Sequence, residues 1–150
     1  SNAWAIGDTS SQSNRLAQSM GRSPTVFNFF RPGYSPPGSA ISTMGLVAPE
    51  FQIANEQSVV AYVNYMYTLV SAGTGDVKAD YTDIVTRAGD SAVLVGEIND
   101  LLAAGQLASS TVTAIRAAVD SIAMTGNGGI NRVGTAILLT LASPDFLTVR

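Results

Sequence analysis

Arg31, Glu50 and Glu56 are the side chains in this 150-residue chain whose types and surroundings could do chemistry. Two carboxylates and a guanidinium lining a polar cleft are the equipment of a glycoside-cleaving or sugar-binding site, with one carboxyl handling a proton while the cation steadies charge. Each sits among large apolar residues. Arg31 lies inside the run Phe27, Phe29, Phe30, Tyr34; Glu50 stands between Pro49 and Phe51; Glu56 falls at the start of a tyrosine-rich segment. Asn28 and Tyr34 add an amide and a phenol as binding candidates, and Arg132 joins them because a cation near a helix start goes against the helix dipole and needs a partner. The same charges have a plainer reading: Arg31 or Arg132 paired with Glu50 or Glu56 as a structural ion pair. Such a pair is weak evidence of net stabilisation, yet breaking one costs about 3–5 kcal/mol. The plainer reading is favoured, because perturbed charge pairs are often merely structural.

Other chemistry is thin. The sequence has no histidine and no cysteine, so the two commonest zinc and copper ligands are absent and so is every nucleophilic scheme that uses them. Asp76, Asp80 and Asp83 lack the alternating oxygen ligands and closing Glu of a calcium loop and read as solvated acids at a helix start. Gly126, Gly128 and Gly129 do not match a phosphate-loop spacing and read as a turn. Tyr62, Tyr65 and Tyr67 read as core aromatics rather than a stacking platform. No metal and no cofactor is expected.

Composition narrows the partners. Hydrophobic residues make up 46% and charged residues 13%, with eight basic against eleven acidic residues and a net charge of −3. One lysine and seven scattered arginines do not make the basic face that nucleic acid requires. No apolar run reaches the roughly 18 residues of a membrane span. Charge this sparse points to a surface built to lie against another protein surface, such as the remainder of a longer parent chain. Ser1-Asn2-Ala3 reads as an expression-tag remnant, and residues 4–150 as one helical domain cut from that parent.

The positioning elements divide the chain in two. Residues 8–20 read as a polar helix, capped by Asp8 or Thr9 and stopped by Gly21. From about 22 to 53, five prolines and three glycines exclude helix and central strand, and Pro32-Gly33 and Pro37-Gly38 suit type II turns. Yet Val26, Phe27, Phe29, Phe30, Met44, Leu46, Val47 and Phe51 are too apolar for a disordered linker. An ordered strap is expected, pinned by its side chains, with Phe27, Phe29 and Phe30 as an interaction surface. A strap of about 30 irregular residues in a small domain is usually functional or interfacial.

From 54 onward the reading is helical. Asn55 caps a helix to about Val70 whose stripe Val59, Val63, Met66, Val70 and further apolar residues place it centrally. A short helix begins at Asp80. Asp90 caps the next, with Leu94, Ile98, Leu101 and Leu102 inward and Gly105 as its stop. Ser109 or Ser110 caps another carrying Val112, Ile115, Val119 and Ile122. A long helix from about Ile130 carries Val133, Ile137, Leu138 and Leu141, and Ser143-Pro144-Asp145 starts a final turn. The fold class is therefore all-α: a bundle of about five to six helices behind a long N-terminal strap.

Certain strings are more specific than any composition argument. They are Ser23-Pro24-Thr25-Val26-Phe27-Asn28-Phe29-Phe30-Arg31-Pro32-Gly33-Tyr34, Pro36-Pro37-Gly38, Gly45-Leu46-Val47-Ala48-Pro49-Glu50-Phe51-Gln52-Ile53, Asn131-Arg132-Val133, and Leu141-Ala142-Ser143-Pro144-Asp145-Phe146-Leu147. Together they resemble the C-terminal region of a bacterial family known as domain of unknown function 1800. The resemblance implies an uncharacterised protein several times longer, exported to the periplasm or beyond, and it supplies no catalytic residue. Two functions of different class follow. One is a non-catalytic helical module whose strap docks on the rest of the parent or a partner. The other is part of an enzyme acting on carbohydrate or cell-envelope material, with Arg31, Glu50 and Glu56 completed by missing residues.

Overall fold

A computed structural model describes residues 5–148. Among them are six α-helices and no strand. They are α1 (Ala40–Thr43), α2 (Glu56–Ser71), α3 (Ser91–Ala103), α4 (Ser109–Asp120), α5 (Gly128–Leu141) and α6 (Pro144–Leu147). Two 3-10 turns, Pro49–Gln52 and Ile84–Arg87, complete the regular structure. The chain forms two compact units: the first runs to Thr68 and takes in Thr74–Val77, and the second holds Leu69–Gly73 and everything from Lys78.

In the first unit, the helix expected over 8–20 is replaced by turns. Asp8 accepts a hydrogen bond from the Ser10 N–H at 2.9 Å, and Ser11 accepts from the Arg15 N–H at 3.2 Å and the Ala17 N–H at 3.3 Å. Thr9, Ser10, Ser11, Ser13 and Asn14 are the reason: short polar side chains compete with helix for local backbone groups. The strap over 22–53 is irregular as expected, holding only α1 and one 3-10 turn. Of its two proline-glycine turns, Gly38 takes the left-handed φ of +72° that a type II turn needs, with the Ser39 N–H donating to the Pro36 carbonyl. Gly33 stays out of that region while the Tyr34 N–H still closes on Arg31 at 3.0 Å.

Asn55 caps α2 as expected. Its side-chain oxygen accepts from the Ser58 N–H at 3.0 Å and its own N–H donates to the Ser58 hydroxyl at 2.9 Å, a reciprocal box. The burial pattern of α2 differs from the expected stripe. Ser58, Ala61 and Tyr65 are buried, whereas Val59, Val60 and Tyr67 are exposed. A helix apolar on several sides does not announce its inner face. Here the buried face carries the small side chains, with Arg15 lying 5.8 Å over the Tyr65 ring.

The second unit is the helical bundle. Its core gathers Leu94, Val95 and Ile98 of α3, Ile115 and Val119 of α4, and Val133 and Ala136 of α5, with Ala88 and Leu107 from the connections. Asp90 caps α3 by accepting from the Ala92 and Val93 N–H groups, and Ala104 and Gly105 end it in left-handed conformations. Leu101 and Leu102, expected inward, are exposed, and Val95 takes their place. Neither Ser109 nor Ser110 caps α4. Its N-cap is Ala108, and the missing acceptor comes from Asp145, whose Oδ2 accepts from the Ala108 N–H at 3.1 Å and the Thr111 hydroxyl at 2.6 Å. Ser143 and Pro144 start α6 as expected, with the Ser143 hydroxyl accepting from the Phe146 N–H. Asp145→Ala should therefore destabilise α4 as a lost cap does, by about 1–2 kcal/mol in urea unfolding. Ser109→Ala and Ser110→Ala should each change stability by less than about 0.5 kcal/mol.

Candidate interaction surface

The residues singled out in the strap fall on a turn, a clamp and an exposed rim. The turn is Thr25 to Asn28. The Asn28 N–H donates to the Thr25 carbonyl at 3.2 Å, and the Thr25 hydroxyl donates to the Asn28 carbonyl at 3.3 Å and accepts from the Phe27 N–H at 3.1 Å. The Ser23 hydroxyl also reaches the Thr25 carbonyl. Asn28 closes the turn at a φ of +69°, a left-handed conformation that asparagine tolerates better than most residues. The two residues at its tip are Val26 and Phe27, which are 92% and 56% exposed. Turn tips normally carry Gly, Asn, Asp, Ser or Pro. This one lifts two apolar side chains into solvent on a backbone held by four hydrogen bonds.

Phe29 and Phe30 are half-buried. The expectation that strap side chains pin it down holds for these two and not for Val26, Phe27, Met44, Leu46, Val47 or Phe51, all exposed. Polar groups do much of the pinning. The Gln52 side-chain oxygen accepts from the Arg31 N–H at 2.7 Å, and the Gln52 carbonyl accepts from the Gln12 and Asn55 side-chain amides, each at 3.2 Å. The Ala48 N–H donates to the Tyr34 carbonyl at 2.8 Å. Gln52 thus ties Arg31, inside the strap, and Gln12, before it, to the start of α2. Its role escaped the sequence reading, because a lone glutamine carries no spacing signal.

The charged candidates do not pair with one another. Glu50 lies in the first turn of the 3-10 segment and Glu56 in the first turn of α2. Both side chains and Arg31 are exposed, and among the described residues none forms an ion pair. The proposed lock of Arg31 or Arg132 with Glu50 or Glu56 is therefore corrected. Arg132 belongs to a different arrangement, inside the second unit. It is 9% exposed, with Nε donating to the Ile122 carbonyl at 2.8 Å, Nη1 to Ala88 at 3.0 Å and Nη2 to Asp120 at 3.5 Å. The Asp120 carboxylate is 3.9 Å from Nη1 and itself mostly exposed. Although Arg132 sits in the first turns of α5, its long side chain carries the cation to the carbonyl end of α4 and to the residue after the 3-10 turn. Both are places that favour positive charge.

Asp8, Asp76 and Asp80 are held locally. Asp80 accepts from the Thr82 N–H and hydroxyl, which keep its carboxyl below the usual range, and Ser10 does the same for Asp8. Asp76 accepts from the Ala5 N–H at 2.6 Å. Among the described residues, no three carboxylates come together as a metal site would need. Tyr62, Tyr65 and Tyr67 are half-buried, buried and exposed in turn, so they share no platform. Burial raises the Tyr62 and Tyr81 phenols above their ordinary range. Asn28, Phe29 and Tyr62 do meet, at the wall of a cavity of about 820 Å³ that lies within the first unit.

The strap turn, Gln52 and the Arg132 anchor all fall in the strings that first suggested a family. A family model described as protein of unknown function (DUF1800) matches residues 4–148. The chain belongs to the DUF1800 family. No curated protein and no solved structure matches it. The DUF1800 match spans both units, strap and bundle alike. No helix of this DUF1800 chain is long and apolar enough to cross a membrane, among the residues described.

Proposed function

We propose that this DUF1800 chain is a non-catalytic interaction module whose strap docks, through the Val26-Phe27 turn and its apolar neighbours, on the remaining part of a longer parent protein. The observation that carries the reading is the turn itself. Two apolar side chains stand exposed at the tip of a tight, hydrogen-bonded turn, where solvation alone favours polar residues. A rigid apolar tip loses little conformational entropy on docking, which is how interface anchors give affinity. Met44, Leu46, Val47 and Phe51 extend the exposed apolar surface along the same strap. Glu50, Glu56 and Arg31, by contrast, are exposed side chains with no hydrogen bond or ion pair to fix them. Catalytic groups are held by packing and supporting hydrogen bonds.

The test is a binding titration of this chain against the separately expressed remainder of its parent. Saturable binding is expected. Val26→Asp and Phe27→Ser, both at exposed positions, should each weaken it at least about tenfold, a hot-spot loss of 1.4 kcal/mol or more, and leave the unfolding midpoint unchanged. Equal affinity of the wild-type and both variants would contradict the reading, and so would the absence of binding.

A further inference from the structure

Charge is not spread evenly along the chain. Residues 9–49 hold three arginines and no aspartate or glutamate, while all eleven acids of a chain with net charge −3 lie outside them. This stretch covers most of the strap and the turns before it. One of its cations, Arg15, is spent within the first unit: the guanidinium lies 5.8 Å over the Tyr65 ring, and Nη1 donates to the Ile6 carbonyl at 3.1 Å. Arg22 and Arg31 are different. Both are exposed, and among the described residues neither guanidinium makes a hydrogen bond or an ion pair. Asp8, just ahead of the stretch, accepts from the Ser10 N–H at 2.9 Å, and Glu50, just after it, forms no ion pair either.

The backbones of these two arginines are fixed although their side chains are free. The Arg22 N–H donates to the Ser19 carbonyl at 3.1 Å and closes a turn whose Gly21 takes a φ of +68°, as the third position of a type II turn requires. The tip of that turn is Met20, 99% exposed. The Arg31 N–H donates to the Gln52 side chain at 2.7 Å, and its carbonyl accepts from the Tyr34 N–H at 3.0 Å. The two arginines flank the Val26-Phe27 tip, each four residues from it in sequence. The Met20 turn and the Val26-Phe27 turn lie side by side, since Met20, Arg22 and Asn28 border one cavity.

Protruding apolar tips with cations between them, and no carboxylate of their own, match a surface that offers apolar pockets and carboxylates. Resting on the docking reading, we infer that the part of the parent that receives the strap is acidic: its carboxylates meet Arg22 and Arg31 while Met20, Val26 and Phe27 enter apolar pockets beside them. Arginine suits this role, because its fork can pair with a carboxylate at two points. A lipid surface is the weaker match. Two free cations strengthen attachment to an anionic bilayer about fivefold each, too little to hold a domain there without a second anchor.

The test is the oxidation rate of Met20 in the intact parent, relative to its rate in this chain alone. Met20 should be protected in the parent, and raising the salt from about 0.05 M to about 0.5 M should weaken that protection. The double variant Arg22→Glu, Arg31→Glu should oxidise Met20 at least about fivefold faster than the unaltered parent, because like charges then face each other. The double variant Arg22→Lys, Arg31→Lys keeps the charge and should stay largely protected. Lys78→Glu, at an exposed position outside the stretch, should change nothing. The unfolding midpoint of this chain should be the same in every variant. Protection that ignores both salt and the Glu pair would overturn the acidic partner and leave the docking reading standing. A Lys78→Glu effect equal to that of the Glu pair would overturn it as well, by reducing the attraction to net charge. Met20 fully open in the parent would contradict the docking reading and this inference with it; if phosphatidylserine vesicles then covered it, the cations would belong to a lipid surface.

Discussion

Arg132→Met is expected to lower the unfolding free energy by about 3–5 kcal/mol, close to the whole stability of a marginal domain. The guanidinium is nearly buried and donates to the carbonyls of Ala88, Asp120 and Ile122. These belong to the end of the 3-10 turn and the end of α4, while Arg132 itself is in α5. One side chain thus satisfies carbonyls at two element ends, each of which would otherwise be left short of a donor. Methionine fills much of the volume and satisfies none of them. Most of the loss should come from the stranded carbonyls. The ion pair with Asp120 is long and its carboxylate mostly exposed, so it adds little. Arg132→Lys should recover only part of the loss, because an ammonium cannot reproduce the planar fork that reaches three carbonyls. Asp120→Asn should cost less than about 1 kcal/mol. Urea unfolding of the three variants checks the ranking; an Asp120→Asn loss equal to that of Arg132→Met would place the energy in the ion pair instead.

The second large effect belongs to Gly128. A Cβ there would lie 2.0 Å from the Ala123 carbonyl oxygen and 2.9 Å from its carbon. The backbone makes this contact because the Gly128 N–H closes on the Thr125 carbonyl at 2.9 Å, folding the α4–α5 connection tightly over the first turn of α5. Gly128→Ala must open that turn, and the expected cost is about 1–3 kcal/mol, the range of an overpacked buried site. Gly129 is the internal comparison. Its Cβ would meet the Val85 Cγ2 methyl at 3.1 Å, a side chain able to yield, so Gly129→Ala should cost less than half as much. Thermal melts of the two variants read the difference directly, and equal shifts would contradict it.

What the sequence made legible was what lies close along the chain. Asp90 capping α3, Asn55 capping α2, the stop at Gly105 and the start at Ser143-Pro144 are decided within four residues, and all are present. So is the all-α class, since helical spacing over 91–141 leaves little alternative. What depends on distant partners was not legible. Ser109 and Ser110 looked like caps, but the acceptor for α4 is Asp145, 37 positions beyond Ala108. The sequence marks Arg132 as needing a partner, yet backbone carbonyls carry no sequence signal and acids do, so Glu50 and Glu56 stand out in their place. Hydropathy points to the wrong face of α2, because Val59 and Val60 are more hydrophobic than Ser58 and Ala61. Small residues were preferred on the buried side. In the strap, composition correctly marked apolar side chains as unusual, but it could not distinguish Phe29 and Phe30, which are half-buried, from Val26 and Phe27, which the turn exposes.

The central claim, that the strap is a docking face, is tested most directly by methionine oxidation footprinting in the intact parent protein and in this chain alone. Met44 of the strap is 66% exposed, and Met124, in the α4–α5 connection, is 48% exposed and serves as the reference. Sulfoxide formation follows access to the thioether. In the isolated chain both methionines should oxidise readily. In the intact parent, Met44 should slow at least about fivefold relative to Met124, as burial at an interface requires. An unchanged ratio of the two rates would show the strap still open to solvent in the protein where it should be covered, and would contradict the account.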